Sequence, residues 1–520
     1  MSQVDHAVRP ADLDRPREDG IVTSRRNIAS GVLAAAAAIA ASEALAALLS
    51  LRESPVLAVG QSVIRLTPGP LAEAIIGVVG QADKPLAIGS VVLAIIALGA
   101  VVGGWWLTHR VWAFGLVTLL VGLTSAAVLS RPYGGAAGVF TSLAAGVVVL
   151  GVLELLLQER DHQQADLARR SFLRTFAIIT VATVFIGAAG QVLASRHRRR
   201  EAVERARASL KLPSRTSASP VGTDFEIPDQ DPWLTTNRDF YRIDTALSPP
   251  LIDPAEWSLR IHGLVDKELT LTYQDLLDRG LEDAWITICC VSNPVGGDLI
   301  GNTVWGGVSI KAILDEVGIQ SGADALLSTS DDGWTCGTPL EALTDGRNAL
   351  LALTMNGEPL PIPHGFPVRQ VVPGLYGYVS ATKWVVDWEV TRFADFEAYW
   401  TQRGWGERGP VKTESRIDVP RGGIADVGTT TVAGVAWAQG VGISGVEVRV
   451  DEGPWQKAKL AEVPNVDTWV QWTYDWDATA GDHTIEARAT NADGEPQTSA
   501  RADVLPDGAT GYPGVSVTVG

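Results

Sequence analysis

The sequence predicts a multidomain protein with an N-terminal α-helical membrane bundle, a central α+β domain and a C-terminal β-sandwich. Three patterns along the 520 residues support this fold class. Residues 30–195 are rich in Ala, Val, Leu and Gly and carry few charges. Residues 231–400 mix short β-branched runs with helical stretches, and residues 410–520 alternate apolar and polar residues between turn signals. We predict an N-terminal cytoplasmic segment at 1–30, a membrane anchor at 31–195 and a linker at 196–230. The α+β domain is predicted at 231–405 and the sandwich at 410–520.

The anchor is predicted to contain about five membrane spans, each of which needs about 20 apolar residues. Suitable segments lie at 31–50, 87–106, 111–129, 135–157 and 174–194. Arginines before the first span and between the fourth and fifth spans mark one side of the bundle as cytoplasmic. Residues from 195 onward then lie outside, although the basic run 196–200 opposes this orientation. The spans contain no histidine that would hold a haem, so we interpret them as an anchor.

A second signal favours export of the part that follows the anchor. The segment Arg169-Arg170-Ser171-Phe172-Leu173-Arg174 resembles the twin-arginine motif, whose pathway moves folded proteins across the membrane. The alternative interpretation is an ordinary basic flank of a membrane helix. We favour export, which predicts a multi-pass protein of the bacterial cell membrane with its soluble half on the extracytoplasmic side.

Charge and cysteine content exclude several classes of function. The formal net charge is −17, whereas nucleic-acid binding needs clustered Lys and Arg, so we expect no nucleic-acid partner. Three cysteines without paired spacing do not make a disulfide framework. Zinc and covalent haem motifs of the CxxC, CxxCH and HExxH types are also missing from the sequence.

The soluble half begins with a linker and continues as two differently patterned regions. In residues 231–400, β runs at 257–262, 284–288, 325–328 and 367–372 do not alternate strictly with helical stretches at 273–279 and 310–317, which favours an α+β class. In the last region, alternating runs are separated by turn signals such as Asp451-Glu452-Gly453-Pro454. The runs lie at 429–438, 445–450, 469–475 and 483–490. This spacing is typical of a β-sandwich of immunoglobulin type.

Two of the three cysteines, Cys289 and Cys290, are adjacent and end the β-branched run that starts at Ile286. We expect them to open a loop rich in Gly and Asn that continues through 301–307. A thiolate at the end of a strand is a suitable soft ligand for a transition metal. Successive side chains of a strand point to opposite faces, so only one of the two thiols faces a given site.

Four segments, taken in order, resemble the sulfite oxidase family of molybdopterin enzymes. They are Asp239-Phe240-Tyr241-Arg242, Cys290-Val291-Ser292-Asn293, the run from Met355 to Arg369, and the run from Gly377 to Trp384. The resemblance covers about residues 230–395. The region 410–520 is similar to the dimerisation domain of the membrane-anchored bacterial type, which implies a homodimer through that domain.

The resemblance implies a molybdenum–molybdopterin cofactor and a role for each matching residue. Cys290 is the implied molybdenum ligand and catalytic residue, whereas Cys289 and Cys336 are interpreted as structural thiols and Trp305 as a core residue. Arg, Lys and hydroxyl side chains are the types that bind a pterin phosphate. The implied cofactor-binding residues are Tyr241, Arg242, Asn293, His364, Arg369, Ser380, Thr382 and Lys383.

Two departures from the family pattern put sulfite in doubt as the substrate. Sulfite oxidases carry anion-binding arginines after the Cys-x-x-Asn, whereas Pro294-Val295-Gly296-Gly297 stands here. The pocket tyrosine that follows the family's Asp-Gly is replaced in Asp332-Gly333-Trp334-Thr335-Cys336. A cytochrome-like haem domain is also missing from the sequence, so electrons are expected to pass to a separate partner.

Together these observations predict a membrane-anchored, extracytoplasmic molybdenum-cofactor oxidoreductase. The reaction is oxygen-atom transfer on a small-molecule substrate at a Cys-ligated molybdenum–oxo centre, with the lipid bilayer and an electron-transfer protein as partners. Two alternatives stay open. One is a sulfoxide-type reductase fed by a membrane redox partner, and the other is a non-catalytic cell-surface protein with a decayed site.

Overall fold

The computed structural model describes residues 17–49, 51–68, 71, 83–158, 165–192, 195–212 and 218–520. Within unit 1, Met1–Arg200, and unit 2, Glu201–Gly520, the chain is compact. The first 16 residues of the predicted N-terminal segment and residues 213–217 of the predicted linker lie outside the described residues. The predicted order of a helical region, an α+β region and a β-rich region is confirmed.

Unit 1 consists of helices, five of which are long and apolar enough to cross a membrane by length and composition. Those five stretches are Arg25–Leu48, Lys84–Trp105, Arg110–Leu129, Ala136–Leu157 and Arg170–Ala188. The described helices of this unit are Arg17–Leu48, Pro55–Leu66, Asp83–Trp105, Arg110–Leu129, Ala136–Leu157 and Ala165–Val192. The arginine-pair segment 169–174 lies inside the last of them.

The first helix packs closely against the helix Asp83–Trp105 through glycines. A Cβ atom at Gly31 would lie 2.0 Å from the Gly99 carbonyl oxygen, and one at Gly103 would lie 2.3 Å from the Asn27 carbonyl oxygen. Small residues allow helix backbones to approach in this way, as they do in membrane bundles. A larger side chain at either position would push the two helices apart.

Ten strands build the α+β part of unit 2. They are β1 Ser258–Gly263, β2 Leu269–Thr272, β3 Glu282–Cys289, β4 Ile300–Ser309, β5 Ala325–Ser330, β6 Thr335–Pro339, β7 Leu350–Met355, β8 Glu358–Pro359, β9 Arg369–Val371 and β10 Val385–Thr391. One sheet has the order β2-β1-β10-β5-β6, and the other has the order β3-β4-β7-β8 with β9 paired to β7. Helices Tyr273–Asp278, Ile310–Val317, Glu341–Thr344 and Gly377–Ser380 complete this part, and the helix Ser195–Ser209 contains the boundary between the two units.

The expectation of a loop through 301–307 is wrong, because these residues belong to β4 and pair with β3 on one side and β7 on the other. The register shifts between Gly306 and Gly307, which marks a bulge. A Cβ at Gly306 would lie 2.2 Å from the Thr354 hydroxyl, and one at Gly307 would lie 2.3 Å from the Leu351 carbonyl oxygen. The glycines therefore serve close strand packing. Trp305 between the strands is fully buried, as expected.

Nine strands form the C-terminal region. They are β11 Glu414–Val419, β12 Ile424–Ala425, β13 Gly428–Trp437, β14 Ile443–Val450, β15 Gln456–Lys457, β16 Lys459–Leu460, β17 Val470–Ala478, β18 Gly481–Asn491 and β19 Gly514–Val519. Their sheets have the orders β11-β13-β17-β16 and β12-β19-β18-β14-β15. Buried side chains from both sheets, such as Val432, Trp472 and Ile485, share one core. The immunoglobulin type stays a prediction.

Hydrogen bonds between the two parts of unit 2 hold the strand that leads to Cys290. Trp233 and Trp469 each donate an indole N–H to the other's carbonyl oxygen, at 3.1 and 2.9 Å. On β3, the Thr287 N–H donates to the Asp467 carbonyl oxygen at 3.0 Å, and the Thr287 hydroxyl accepts the Trp469 N–H at 2.8 Å. Both the backbone and the side chain of Thr287 thereby attach the end of β3 to the C-terminal region.

Candidate active site

Cys290 lies directly after β3, where the chain turns into a short closed loop. Its N–H donates to the Leu299 carbonyl oxygen at 2.9 Å, and its carbonyl oxygen accepts the Asn293 N–H at 3.1 Å. The Asn293 side-chain oxygen accepts the Leu299 N–H at 2.9 Å, so Asn293 closes the loop. A Cβ at Gly297 would lie 2.5 Å from that oxygen, which explains the glycine.

The two adjacent thiols have different surroundings, as strand alternation predicts. Cys289 is fully buried in the hydrophobic core, and its sulfur lies 3.4 Å from the Cys290 carbonyl oxygen. Cys290 is half-buried and lines an open cleft. Burial raises the pKa of the Cys290 thiol, while hydrogen bonds from Ser292 and the charge of Lys383 oppose the rise. A bound metal cation would instead favour the thiolate.

Five of the predicted site residues line this one cleft, namely Tyr241, Cys290, His364, Arg369 and Lys383. They come from separate parts of the sequence: Cys290 follows β3, Arg369 begins β9, and Lys383 follows the helix Gly377–Ser380. A Cβ at Gly377 would lie 3.6 Å from the Tyr241 hydroxyl and 3.7 Å from the Cys289 carbonyl oxygen. The helix therefore lies beside the thiol segment at a distance that leaves room for a Cβ atom.

Arg369 is a buried cation for which the described residues supply no carboxylate partner. Its Nη1 donates to the His364 carbonyl oxygen at 3.1 Å, and its guanidinium lies 4.8 Å from the centre of the Trp305 ring. Its Nε is buried and finds no hydrogen-bond partner in the part of the chain that the structure describes. Burial lowers the pKa of Arg369 to about 10, which leaves it charged at neutral pH. A buried, charged and partly unsatisfied guanidinium is suited to receive an anion.

Lys383 is held by a carboxylate that the sequence did not reveal. Its Nζ lies 2.9 Å from Asp244 Oδ2, which also accepts the Arg242 Nε at 2.9 Å. Burial lowers the pKa of Lys383 to about 8, although Asp244 opposes this shift. Arg242 itself is exposed and is not among the residues that line the cleft. The only sequence signal for Asp244 is its place two residues after Arg242.

His364 is neutral in this cleft. Burial is the main cause that lowers its pKa to about 3, and the charges of Arg369 and Lys383 add to it. The His364 Nε2 lies 3.1 Å from the Asn237 carbonyl oxygen. A carbonyl only accepts, so we assign the proton to Nε2, which leaves Nδ1 as an acceptor.

Besides Arg242, three predicted cofactor-binding residues lie away from the cleft lining. The Ser380 hydroxyl lies near two backbone carbonyl oxygens, of Leu375 at 3.1 Å and Tyr376 at 3.0 Å. Thr382 is fully buried, and its carbonyl oxygen accepts the Gln370 N–H at 2.8 Å. Asn293 closes the Cys290 loop. In this structure all three shape the backbone around the cleft, and their contacts with a cofactor stay predictions.

Sequence reasoning missed several other residues that line the cleft. These are aromatic and polar side chains from the end of β5, the β5–β6 turn, the helix Gly377–Ser380 and the segment after β10. They are Ser330, Asp332, Trp334, Tyr378, Trp400 and Trp405. Trp334 and Asp332 were noted only as a departure from the family pattern. The tryptophans after β10 carry no motif, so only folding reveals them.

Residues 246–400 match the family described as "Oxidoreductase molybdopterin binding domain". The uncharacterized oxidoreductase YuiH of Bacillus subtilis is 33% identical over 182 residues, which cover 35% of this chain and 86% of that protein. The mitochondrial sulfite oxidase of Drosophila melanogaster is 28% identical over 317 residues, which cover 50% of this chain and 54% of that protein. The chain belongs to the sulfite oxidase family of molybdopterin-dependent oxidoreductases.

This member of the sulfite oxidase family is therefore an oxidoreductase with a molybdenum–molybdopterin cofactor. It spans about half the length of the sulfite oxidases of Drosophila melanogaster and Homo sapiens that it matches, so their whole activity does not follow from the match. The solved structure of the sulfane dehydrogenase SoxCD from Paracoccus pantotrophus aligns with a TM-score of 0.49 and 21% identity, over 59% of this chain and 87% of that chain.

The cleft of this family member fits the molybdopterin cofactor by the chemistry of its donors. Cys290 offers a sulfur ligand of the soft type that a high-valent transition metal accepts. The unsatisfied Nε of buried Arg369 offers a charged donor to an anionic group, and Lys383 adds a second cation. Neutral His364 adds an acceptor without adding charge.

Proposed function

We propose that this protein is a membrane-anchored, extracytoplasmic molybdenum oxidoreductase that transfers an oxygen atom to or from a small substrate. One observation carries the proposal. In a chain of this family, Cys290 and Arg369 line the same cleft, and Arg369 is a buried cation to which no described residue offers a carboxylate. A decayed, non-catalytic site would not be expected to keep a buried charge that costs several kcal/mol without an anion.

Each cleft residue has a proposed part in the reaction. When bound, the cofactor supplies a metal centre that exchanges an oxygen atom and two electrons with the substrate. Cys290 ligates the metal, while Arg369 and Lys383 neutralise the anionic end of the cofactor. His364 donates its Nε2 proton to the Asn237 carbonyl oxygen and keeps its ring orientation fixed.

The reaction requires a separate electron-transfer partner. In the oxidative direction, a substrate X and one water give XO, two protons and two electrons. In the reductive direction, XO, two protons and two electrons give X and water. The partner accepts the electrons in the first case and supplies them in the second. The second candidate function is the reductive direction. It is motivated by Pro294–Gly297, which stands where the sulfite oxidases carry anion-binding arginines.

The membrane part of the proposal rests on the five apolar helices and the arginine pattern. We expect a protease-sensitive tag fused after Gly520 to be cleaved by protease added to spheroplasts, a result that holds whether the chain crosses the membrane folded or unfolded. The same tag inserted after residue 160, between the fourth and fifth spans, is the matched control and should be protected. Protection of the tag after Gly520 would contradict both the orientation and the export interpretation.

Metal analysis followed by a substrate screen tests the enzymatic part. Full-length protein purified from a host that makes the cofactor is expected to contain about one molybdenum per chain and a fluorescent pterin. The loaded protein is then assayed with sulfite and an electron acceptor, and with S-oxides and a reduced viologen dye. Turnover in only one assay assigns the direction. Protein without molybdenum, or loaded protein without turnover in both assays, would contradict the proposal.

A further inference from the structure

The later part of the helix Ser195–Ser209 packs into unit 2, although the sequence places these residues in the predicted linker. Val203 is 1% exposed and belongs to a buried cluster that also contains Phe240 and Trp305. Leu210, just after the helix, packs against the same cluster. Positions 203, 207 and 210 are four and three residues apart, so they share one face of the helix.

Arg207, on this face, binds the chain at the edge of a sheet. Its Nε donates to the Leu360 carbonyl oxygen at 2.8 Å, and its Nη2 donates to the Pro359 carbonyl oxygen at 2.7 Å. Pro359 ends β8, which is the last strand of its sheet. The planar guanidinium can donate to two neighbouring carbonyl groups at once, which a lysine ammonium does less well.

The segment that Arg207 binds leads directly to His364. From β8 the chain continues into the 3₁₀ turn Ile362–His364. The Trp384 Nε1 donates to the Ile362 carbonyl oxygen at 3.0 Å. Arg207 therefore holds this segment where it begins, and Trp384 holds it at the turn that carries His364.

The buried cluster around Val203 reaches the same site through aromatic rings. The Phe240 ring packs edge to face with Trp305 and with His364, at centre-to-centre distances of 5.7 and 5.8 Å. The Arg369 guanidinium lies 4.8 Å from the centre of the Trp305 ring. Because protein interiors are close-packed, a displacement of Val203 would disturb the support of both His364 and Arg369.

We propose that this helix is a positioning element of the cofactor cleft, in which Val203 and Arg207 hold the chain that presents His364 and Arg369. Neither Val203 nor Arg207 is among the residues that line the cleft, so both act through other residues. Loosening the helix should therefore weaken retention of the cofactor. The inference rests on the proposed function for the roles of His364 and Arg369, but it requires neither a particular substrate nor the membrane location.

Cofactor release from the full-length, molybdenum-loaded protein in detergent tests the positioning role. Arg207→Ala should release molybdenum and pterin at least about fivefold faster than the wild type, because two charged hydrogen bonds to the His364 segment are lost. Arg207→Lys keeps the charge without the paired donors, so it should restore the slow release only in part. Metal analysis and pterin fluorescence follow the release, well below the melting temperature of every variant.

Arg205→Ala is the matched control on the same helix. Arg205 is exposed, and its Nε donates to the Glu201 carbonyl oxygen of the helix itself at 3.2 Å. Its release rate should stay within twofold of the wild type. Val432→Ala controls for stability, because it removes buried methyl groups from the core of the C-terminal sheets. Release from Val432→Ala as fast as from Arg207→Ala would show that Arg207 serves only general stability.

A second measurement tests the docking of the helix and does not need the cofactor. A specific protease site replaces residues 213–217 of the full-length chain, and an N-terminal tag retains the fragment that contains the helix. After cleavage, residues 218–520 should co-elute with the tagged fragment. Val203→Asp combined with Arg207→Ala should release most of residues 218–520, because a buried carboxylate replaces an apolar contact. Arg205→Ala should not release them.

Distinct outcomes separate this inference from the proposed function. Free elution of residues 218–520 from the cleaved wild type overturns the inference and leaves the proposed function intact. Cofactor release from Arg207→Ala within twofold of the wild type does the same, and the co-elution result decides the matter if this variant does not fold. Protein that contains no molybdenum contradicts the proposed function, and the positioning role falls with it.

Discussion

Replacing Cys290 with serine is expected to abolish turnover by the loaded enzyme, with a loss of more than about 100-fold. Residues that only hydrogen-bond to a metal ligand already contribute about 10- to 100-fold to metal affinity or activity. Cys290 is the proposed ligand itself. A serine hydroxyl in the same half-buried position is a harder and less acidic donor than the thiol. Molybdenum content and initial rates, measured on the same preparation, check the result.

Cys289→Ala is the control for this substitution. It removes the neighbouring thiol, which is fully buried on the opposite face of the strand. We expect a loss of about 1 kcal/mol in unfolding free energy and an unchanged molybdenum content. If Cys290→Ser kept a tenth or more of the wild-type rate while Cys289→Ala lost its activity, the assignment of the two thiols would have to be reversed.

Replacing Arg369 with methionine is expected to separate cofactor binding from folding stability. The Nε of the buried guanidinium has no hydrogen-bond partner among the described residues. Its Nη1 donates a hydrogen bond to the His364 carbonyl oxygen. Methionine relieves a desolvation cost of several kcal/mol and loses that one bond, so the cofactor-free protein should be as stable or more stable. Cofactor affinity should fall about 10- to 100-fold, because charged hydrogen bonds to the anion are lost.

Arg416→Met is the matched control, because Arg416 is equally buried but fully paired. It lies 2.6 Å from the Asp231 carboxylate and also binds the buried Asp418. Removing it leaves a buried carboxylate without its cation, which costs about 3–5 kcal/mol. Urea unfolding of the cofactor-free proteins, followed by tryptophan fluorescence, measures both changes. An Arg369→Met protein destabilised as strongly as Arg416→Met would show that Arg369 serves the fold and not an anion.

The predicted secondary structure follows the sequence most closely where hydrophobic periodicity is strong. The runs at 429–438 and 483–490 correspond to β13 and β18, and the helical stretch 310–317 is observed without change. The prediction of a loop through 301–307 was wrong, because it relied on Gly306 and Gly307, whose residue type is common in loops. Their lack of side chains instead allows β4 to lie against β7, and strand pairing of this kind is a long-range interaction that local propensity does not report.

By itself, the sequence determined the family, the cofactor and the thiol that faces the cleft, because motifs and strand alternation are local in the chain. Only the tertiary structure decided which residues share that cleft. It brought Tyr241, His364, Arg369 and Lys383 to Cys290 and left Ser380, Thr382 and Asn293 in the surrounding backbone. It also revealed Asp244 as the partner of Lys383 and placed Trp400 and Trp405 in the cleft lining, because such neighbours are far apart in the sequence.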